Sequence, residues 1–151
     1  IREVEHGGAV SAAAFSHDGS WVATGSRDKK LRLVEAASGA VIREVEHGDW
    51  VLAVAFNHDG SLVATGNDDK KLRLVEVASG AVIREVEHGG SAGAVAFNHD
   101  GSLVATGNDD KKLRLVEVAS GAVIREVEHG GAVSAAAFSH DGSWVATGSR
   151  D

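Results

Sequence analysis

The chain of 151 residues has the length of one ordinary domain, and 43% hydrophobic with 25% charged residues reads as globular. It has no Cys, which excludes disulfides and thiolate metal sites, and 22 acidic residues against 15 Lys and Arg leave a net charge of −7. No segment is strongly basic, none approaches the roughly 18 apolar residues of a spanning helix, and Ile1-Arg2-Glu3-Val4-Glu5 does not resemble a signal peptide, so nucleic acid and membranes are set aside and a cytoplasmic location is expected.

In chain order, the first segment is that short, charged, strand-like run from Ile1. The string Ile-Arg-Glu-Val-Glu-His-Gly begins again at Ile42, Ile83 and Ile124, and residues 124–151 repeat residues 1–28 without a change. The chain is therefore a single repeat array over residues 1–151, with units 1–41, 42–82 and 83–123 and a partial unit 124–151. Within the second unit, residues 51–56 are apolar on both faces and end in Asn57-His58-Asp59-Gly60, a turn whose Gly tolerates positive φ. Residues 62–66 form a second apolar strand, followed by a polar loop through Asp68 and Asp69. Residues 71–76 alternate apolar with charged, Ala78-Ser79-Gly80 makes the next turn, and residues 82–87 form a last strand carrying Arg84, Glu85 and Glu87.

Helices fit poorly, because the apolar runs are short, Val-rich and cut by Gly every eight to twelve residues or so. The strands grow more polar through each unit, as a sheet does when one end is buried between neighbours and the other forms a rim. A charged outer strand also protects an open edge from stray pairing. The expected fold is all-β: a β-propeller of four-stranded antiparallel blades, with three full blades plus a split, incomplete fourth. In that arrangement residues 1–5 are an outer strand without its own blade, and residues 131–149 are inner strands without an outer partner. Open strand edges at both ends would be satisfied by self-association, so either two or more copies share one ring, a homo-oligomer, or the chain is a stretch of a longer repetitive protein.

Three motifs recur at fixed offsets: Phe15-Ser16-His17-Asp18-Gly19, Thr24-Gly25-Ser26-Arg27-Asp28 and Leu31-Arg32-Leu33-Val34-Glu35. In this order, with His6 ahead of them, they resemble the WD-repeat family along the whole chain. The resemblance implies a buried hydrogen-bonded chain of His, Thr and Asp in each blade: His6, Thr24 and Asp28; His47, Thr65 and Asp69; His88, Thr106 and Asp110; His129, Thr147 and Asp151. The family's Trp position holds Val34, Val75 or Val116, its terminal Asp is Glu35, Glu76 or Glu117, and its turn Pro is His17, His58, His99 or His140. Without the indole N–H, the Thr hydroxyl is expected to lose its donor, at a cost on the order of 1–3 kcal/mol if it stays buried and unsatisfied.

Each His–Thr–Asp set could also be read as a catalytic triad. Its recurrence in every unit favours a structural role, so no catalytic residue is assigned and the chain is expected not to be an enzyme. Eight His raise the question of metal. Equivalent positions on successive blades are expected to lie much farther apart than the roughly 4 Å spanned by a metal site, so no metal and no cofactor are assigned. Neighbouring Asp68-Asp69 and Asp109-Asp110 point opposite ways on a strand and read as loop charge.

The repeats differ in one informative place. Units 42–82 and 83–123 are identical except that Asp49-Trp50-Val51-Leu52 becomes Gly90-Ser91-Ala92-Gly93. The first unit has Gly8-Ala9-Val10-Ser11 there and also places Ser26-Arg27 where the second has Asn67-Asp68. In a four-stranded blade both loops emerge on one face, which makes Asp49, Trp50, Leu52, Arg27, Asp68 and Ser91 the candidate contacts for a protein or peptide partner. Trp50 is the expected hot spot, with packing between blades as its alternative. Trp21 and Trp144, at a turn, are expected to pack. A non-enzymatic interaction scaffold is the function this supports. A recently amplified or engineered repeat whose only property is assembly is the alternative, and a hydrolase the remote one.

Overall fold

Six-residue runs rich in Val, Ala and Leu, each closed by a Gly-bearing turn, leave the backbone one economical solution: short antiparallel strands that hydrogen-bond only to their neighbours in sequence. A computed structural model describes residues 3–150, and all of its regular structure is strand. The first blade runs β1 (Val10–Phe15), β2 (Trp21–Ser26), β3 (Lys30–Glu35) and β4 (Val41–Glu46). The second runs β5 (Val51–Phe56), β6 (Leu62–Asn67), β7 (Lys71–Glu76) and β8 (Val82–Glu87). The third runs β9 (Ala92–Phe97), β10 (Leu103–Asn108), β11 (Lys112–Glu117) and β12 (Val123–Glu128). A fourth, two-stranded sheet holds β13 (Val133–Phe138) and β14 (Val145–Ser149).

This is the expected incomplete propeller with one correction. The segment from Ile1 was expected as an outer strand; Ile1 and Arg2 lie outside the described residues, and residues 3–9 form no strand. The reason is pairing. An outer strand hydrogen-bonds to a Leu-Arg-Leu-Val-Glu strand, as β4 does to β3, and the sheet of β13 and β14 offers none.

Blades are joined face to face through two differently composed surfaces. Because strand side chains alternate, Ala23, Leu31, Leu33 and Val45 share one face of the first blade, and they pack on Val63 and Val75 of the second, together with Val51 and Val54. The same leucine-to-valine contact recurs between Ala64, Leu72, Leu74 and Val86 and the Val104–Val116 pair of the third blade. Along the inner edge β1 lies on β5, β5 on β9 and β9 on β13.

The approach is close enough that the second strand of each full blade has one position without room for a side chain, and it is tightest at Gly66. A Cβ built on Gly66 in β6 would stand 2.2 Å from the Ala92 carbonyl oxygen and 3.0 Å from the Ala92 Cβ. The backbone of the next blade's inner strand occupies the space. Gly93, by contrast, has nothing within 4 Å of its would-be Cβ. Gly66→Ala should therefore force the second and third blades apart and lower stability by about 1–3 kcal/mol, while Gly93→Ala should leave the melting curve unchanged or slightly raised. Chemical denaturation of the two variants side by side checks this.

Candidate functional site

The variable positions owe their placement to a bulge. In every inner strand the register slips by one residue: between Val10 and Ala12, Val51 and Ala53, Ala92 and Ala94, and Val133 and Ala135. The skipped residues are Ser11, Leu52, Gly93 and Ser134. A bulge re-aims the side chain it carries, and three of these four, Leu52, Gly93 and Ser134, line one hollow of about 370 Å³. Asp68, Ser91, Asp109 and Arg150 also border it. Sequence reading flagged Leu52, Asp68 and Ser91 as contacts but not Ser134 or Asp109; the repeat makes position 134 equivalent to Leu52, and the loss of register shows that both are bulged.

Main-chain hydrogen bonds tie the two loops of each blade into one rim. Asp68 N donates to Trp50 O at 3.0 Å and Asp109 N to Ser91 O at 3.1 Å. Contacts also cross between blades. The Arg27 guanidinium lies 4.9 Å from the Trp50 ring centroid, and the Ser91 hydroxyl donates to the Asp68 carboxylate at 3.1 Å. Trp50 is 39% exposed, so it does not pack between blades as a core residue; a cation–π contact holds it at the rim. Asp49 turns back to accept the Trp50 N–H at 2.8 Å. Trp21 packs on the core as expected, whereas Trp144 is 76% exposed. Opposite Trp21 in β3 stands Glu35, and β14 has no such third strand beside it.

The His–Thr half of the predicted network forms in all four repeats. Nε2 of His6, His47, His88 and His129 meets the Oγ1 of Thr24, Thr65, Thr106 and Thr147 at 2.7, 3.0, 3.0 and 2.8 Å. The Asp half does not. Asp28, Asp69 and Asp110 turn to Arg32, Arg73 and Arg114 at 2.6, 2.6 and 2.5 Å, and Asp151 lies outside the described residues. Each guanidinium, almost wholly buried, also binds a carboxylate of the outer strand, Glu44, Glu85 or Glu126. In the first, second and fourth repeats the imidazole is oriented instead by a main-chain carbonyl, as when His47 Nδ1–H donates to Val45 O at 3.2 Å. With the carboxylate on Arg in the first three repeats and the Thr hydroxyls of the two central blades buried, no catalytic triad is assembled among the described residues.

The Thr hydroxyl does not lose its donor in the second and third blades. Asn67 and Asn108 Nδ2 donate to Thr65 and Thr106 Oγ1, both at 3.1 Å, replacing the indole that Val75 and Val116 lack. The order is consistent with a neutral ring: Asn N–H to Thr oxygen and Thr O–H to His Nε2 in both blades, with His47 Nδ1–H donating on to the backbone in the second. Burial holds His47 and His88 below the ordinary imidazole value, and for His47 the nearby Arg73 charge adds to it. Burial acts to raise the Asp69 and Asp110 carboxyls, but the hydrogen bond and charge of Arg73 and Arg114 outweigh it and both end low. The hydrogen bond from Arg32 likewise holds Asp28 well below the usual carboxylate range.

The expected wide spacing between equivalent blade positions fails at one place. His17 and His58 rings have centroids 4.1 Å apart, His58 and His99 4.4 Å, and His99 and His140 5.0 Å. Blades splay outward from a common axis, so the turns that follow the innermost strands crowd together.

A family model described as "WD domain, G-beta repeat" matches residues 1–35, 39–76, 80–117 and 121–151. The chain belongs to the WD-repeat family. Proteins built of these repeats generally act as protein–protein interaction scaffolds rather than as enzymes. No curated protein gave a significant match.

The two buried imidazoles make stability depend on pH. Unfolded, each titrates near 6.5; folded, each titrates lower. As pH falls below about 6.5 the unfolded chain takes up protons that the folded chain refuses, so their contribution is full above that value and is lost on acidification. The melting temperature should fall between pH 7 and pH 5, and the slope should be shallower in His47→Gln/His88→Gln, as read by circular dichroism melts.

Proposed function

We propose that this WD-repeat chain is a non-enzymatic scaffold that presents one loop face to a protein or peptide partner and completes its ring with a second copy of itself. The observation that carries the binding reading is where the repeats diverge. Of the four consecutive positions separating residues 42–82 from 83–123, Asp49, Trp50 and Leu52 sit on the rim that carries the Trp50–Arg27 stack and the 370 Å³ hollow, and Val51 alone is buried in the core. A frozen frame with a varied rim is the pattern of a platform whose contacts are chosen independently of its fold. An exposed, immobilised Trp beside an Arg is a hot-spot composition, and the hollow next to it suits a small side chain.

Self-association is supported by interactions that repeat along the array and then stop. The outer-strand Arg43 donates to Ala78 O on the next blade, and Arg84 to Ala119 O on the one after. Arg125, the third of the series, bonds only to Ile124 O of its own strand among the bonds described. Val45 and Val86 are each 8% exposed, whereas the equivalent Val127 is 47% exposed. At the other end Phe15 is 69% exposed and borders a 350 Å³ hollow with Val4, Val22 and Val34. One end thus shows an unfilled leucine-type face and the other an unfilled valine-type face. These are the two halves of the contact that joins every internal pair of blades, which is the condition for head-to-tail closure.

The purified chain should elute as a discrete oligomer by light scattering coupled to size exclusion, and Val127→Asp should reduce it to monomer. A parent chain that is monomeric at all concentrations would remove the shared ring. For the loop face, a peptide selected from a display library should lose at least about tenfold in affinity with Trp50→Ala, the scale of a hot-spot truncation, with oligomer mass unchanged. Equal affinity for both proteins would remove the face.

A further inference from the structure

On the rim opposite the variable loops, the turns between the first and second strands of each blade carry His17, His58, His99 and His140 in a continuous row. All four side chains are exposed. Adjacent planes are inclined at 45°, 50° and 47°, so the rings are tilted rather than stacked flat. Their backbone is not loose. In each turn an Asp Oδ1 accepts both the N–H and the hydroxyl of the Ser two residues on: Asp18 from Ser20, Asp59 from Ser61, Asp100 from Ser102, Asp141 from Ser143. The following Gly60 and Gly101 sit at φ 75° and 76° and close the turn. Each imidazole therefore springs from a fixed base and retains only side-chain rotation.

Among the described residues the row is a group of ligating side chains that the fold brings together without using. His47 and His88 are buried, and Nε2 of His6 and His129 is held by Thr. None of the four turn imidazoles has a structural task of that kind. Their neighbours are carboxylates already committed to Ser, with Asp18 and Asp141 lowered to about 2 by those hydrogen bonds. These charges favour a cation beside the rings.

We propose that the row binds divalent transition-metal ions of the Zn²⁺, Ni²⁺ or Cu²⁺ type, each held between imidazoles of adjacent blades. A Zn–N bond of about 2.0–2.1 Å places two nitrogens on a tetrahedral ion about 3.3 Å apart. Ring centroids at 4.1 to 5.0 Å reach that by rotation about the side-chain bonds, without backbone movement. Imidazole selects this class of ion over Mg²⁺ and Ca²⁺, which require oxygen ligands. Among the described residues no three His, Asp or Glu side chains converge on one point. Each ion therefore takes one imidazole from each of two blades and completes its shell with water. Such an ion ties neighbouring blades together at the axis.

The pairing arithmetic gives a sharp test. The row contains the pairs His17–His58, His58–His99 and His99–His140, and every pair includes His58 or His99. Isothermal titration of untagged, chelator-treated chain with NiCl₂ should show saturable binding, accompanied by a rise in melting temperature. His58→Asn/His99→Asn should weaken binding at least tenfold, with the metal-free melting temperature unchanged. His17→Asn/His140→Asn should keep the central pair and retain one ion. If the parent shows no saturable binding, or the central double variant binds Ni²⁺ as the parent does, the proposal is wrong. A melt of each metal-free variant separates loss of ligand from loss of fold.

Discussion

The structure depends on one contact, the seating of each blade's leucine face on the valine face of the next. It is made possible by a residue that contributes no side chain. At Gly66 the Ala92 carbonyl fills the space a Cβ would take, and at Gly25 and Gly107 the inner-strand residues Val51 and Val133 would stand 2.5 and 2.8 Å from it. Close approach at the inner edge seals Leu31, Leu33, Leu72 and Leu74 from water. Burial of side chains this size is worth roughly 1.5–3 kcal/mol each. A blade alone would leave one such face wet, so stability in this molecule belongs to the interface between repeats and not to the repeat.

That dependence explains how the polar network tolerates its substitutions. With Val at 75 and 116 the Thr hydroxyl has no indole partner, and Asn67 and Asn108 supply an amide donor from the end of the same strand. The Asp, no longer needed at the imidazole, joins a buried Arg, and the outer-strand Glu completes a three-membered ionic cluster. A guanidinium with carboxylates on two sides is the arrangement in which burying charge is least costly. The cluster also ties the loop after β6 to the two outer strands of the blade, β7 and β8, which the His–Thr bond does not. The first blade has Ser26 in place of the Asn, and there Ser26 Oγ accepts the Asp28 N–H instead.

Repeat length, strand order and the face shared by the two variable loops were legible because each is a matter of periodicity. A constant unit, apolar runs and turn glycines determine which residues lie near which. The details that escaped are those set by angle and distance between units. Nothing in the string Asn-His-Asp-Gly says that His58 will touch His17 and His99, since that follows from how sharply blades converge at the axis. The carboxylate of Asp69 could be assigned to His47 or to Arg73 on sequence grounds. The choice falls to Arg73 because Thr65, Arg73 and Glu85 stand opposite one another across three strands. Trp144 escaped for a different reason: its sequence is identical to that around Trp21, and only the absence of a third strand beside β14 exposes it.

Identical repeats also constrain what kind of site the molecule can hold. A feature written once in the unit appears on every blade, so it emerges as a row along the axis, as the turn imidazoles do. A feature meant to be unique must be written where the units differ, and in this chain the central two units differ at only one stretch. That stretch begins an inner strand and contains the bulge, where a residue is released from pairing and its side chain is freed from the requirements of the core. Leu52, Gly93 and Ser134 can therefore vary without touching the leucine–valine contact that holds the blades together. The two rims of the array are thus suited to different chemistry: a repeated one, where like side chains meet across blades, and a varied one, where a single partner can be told from another.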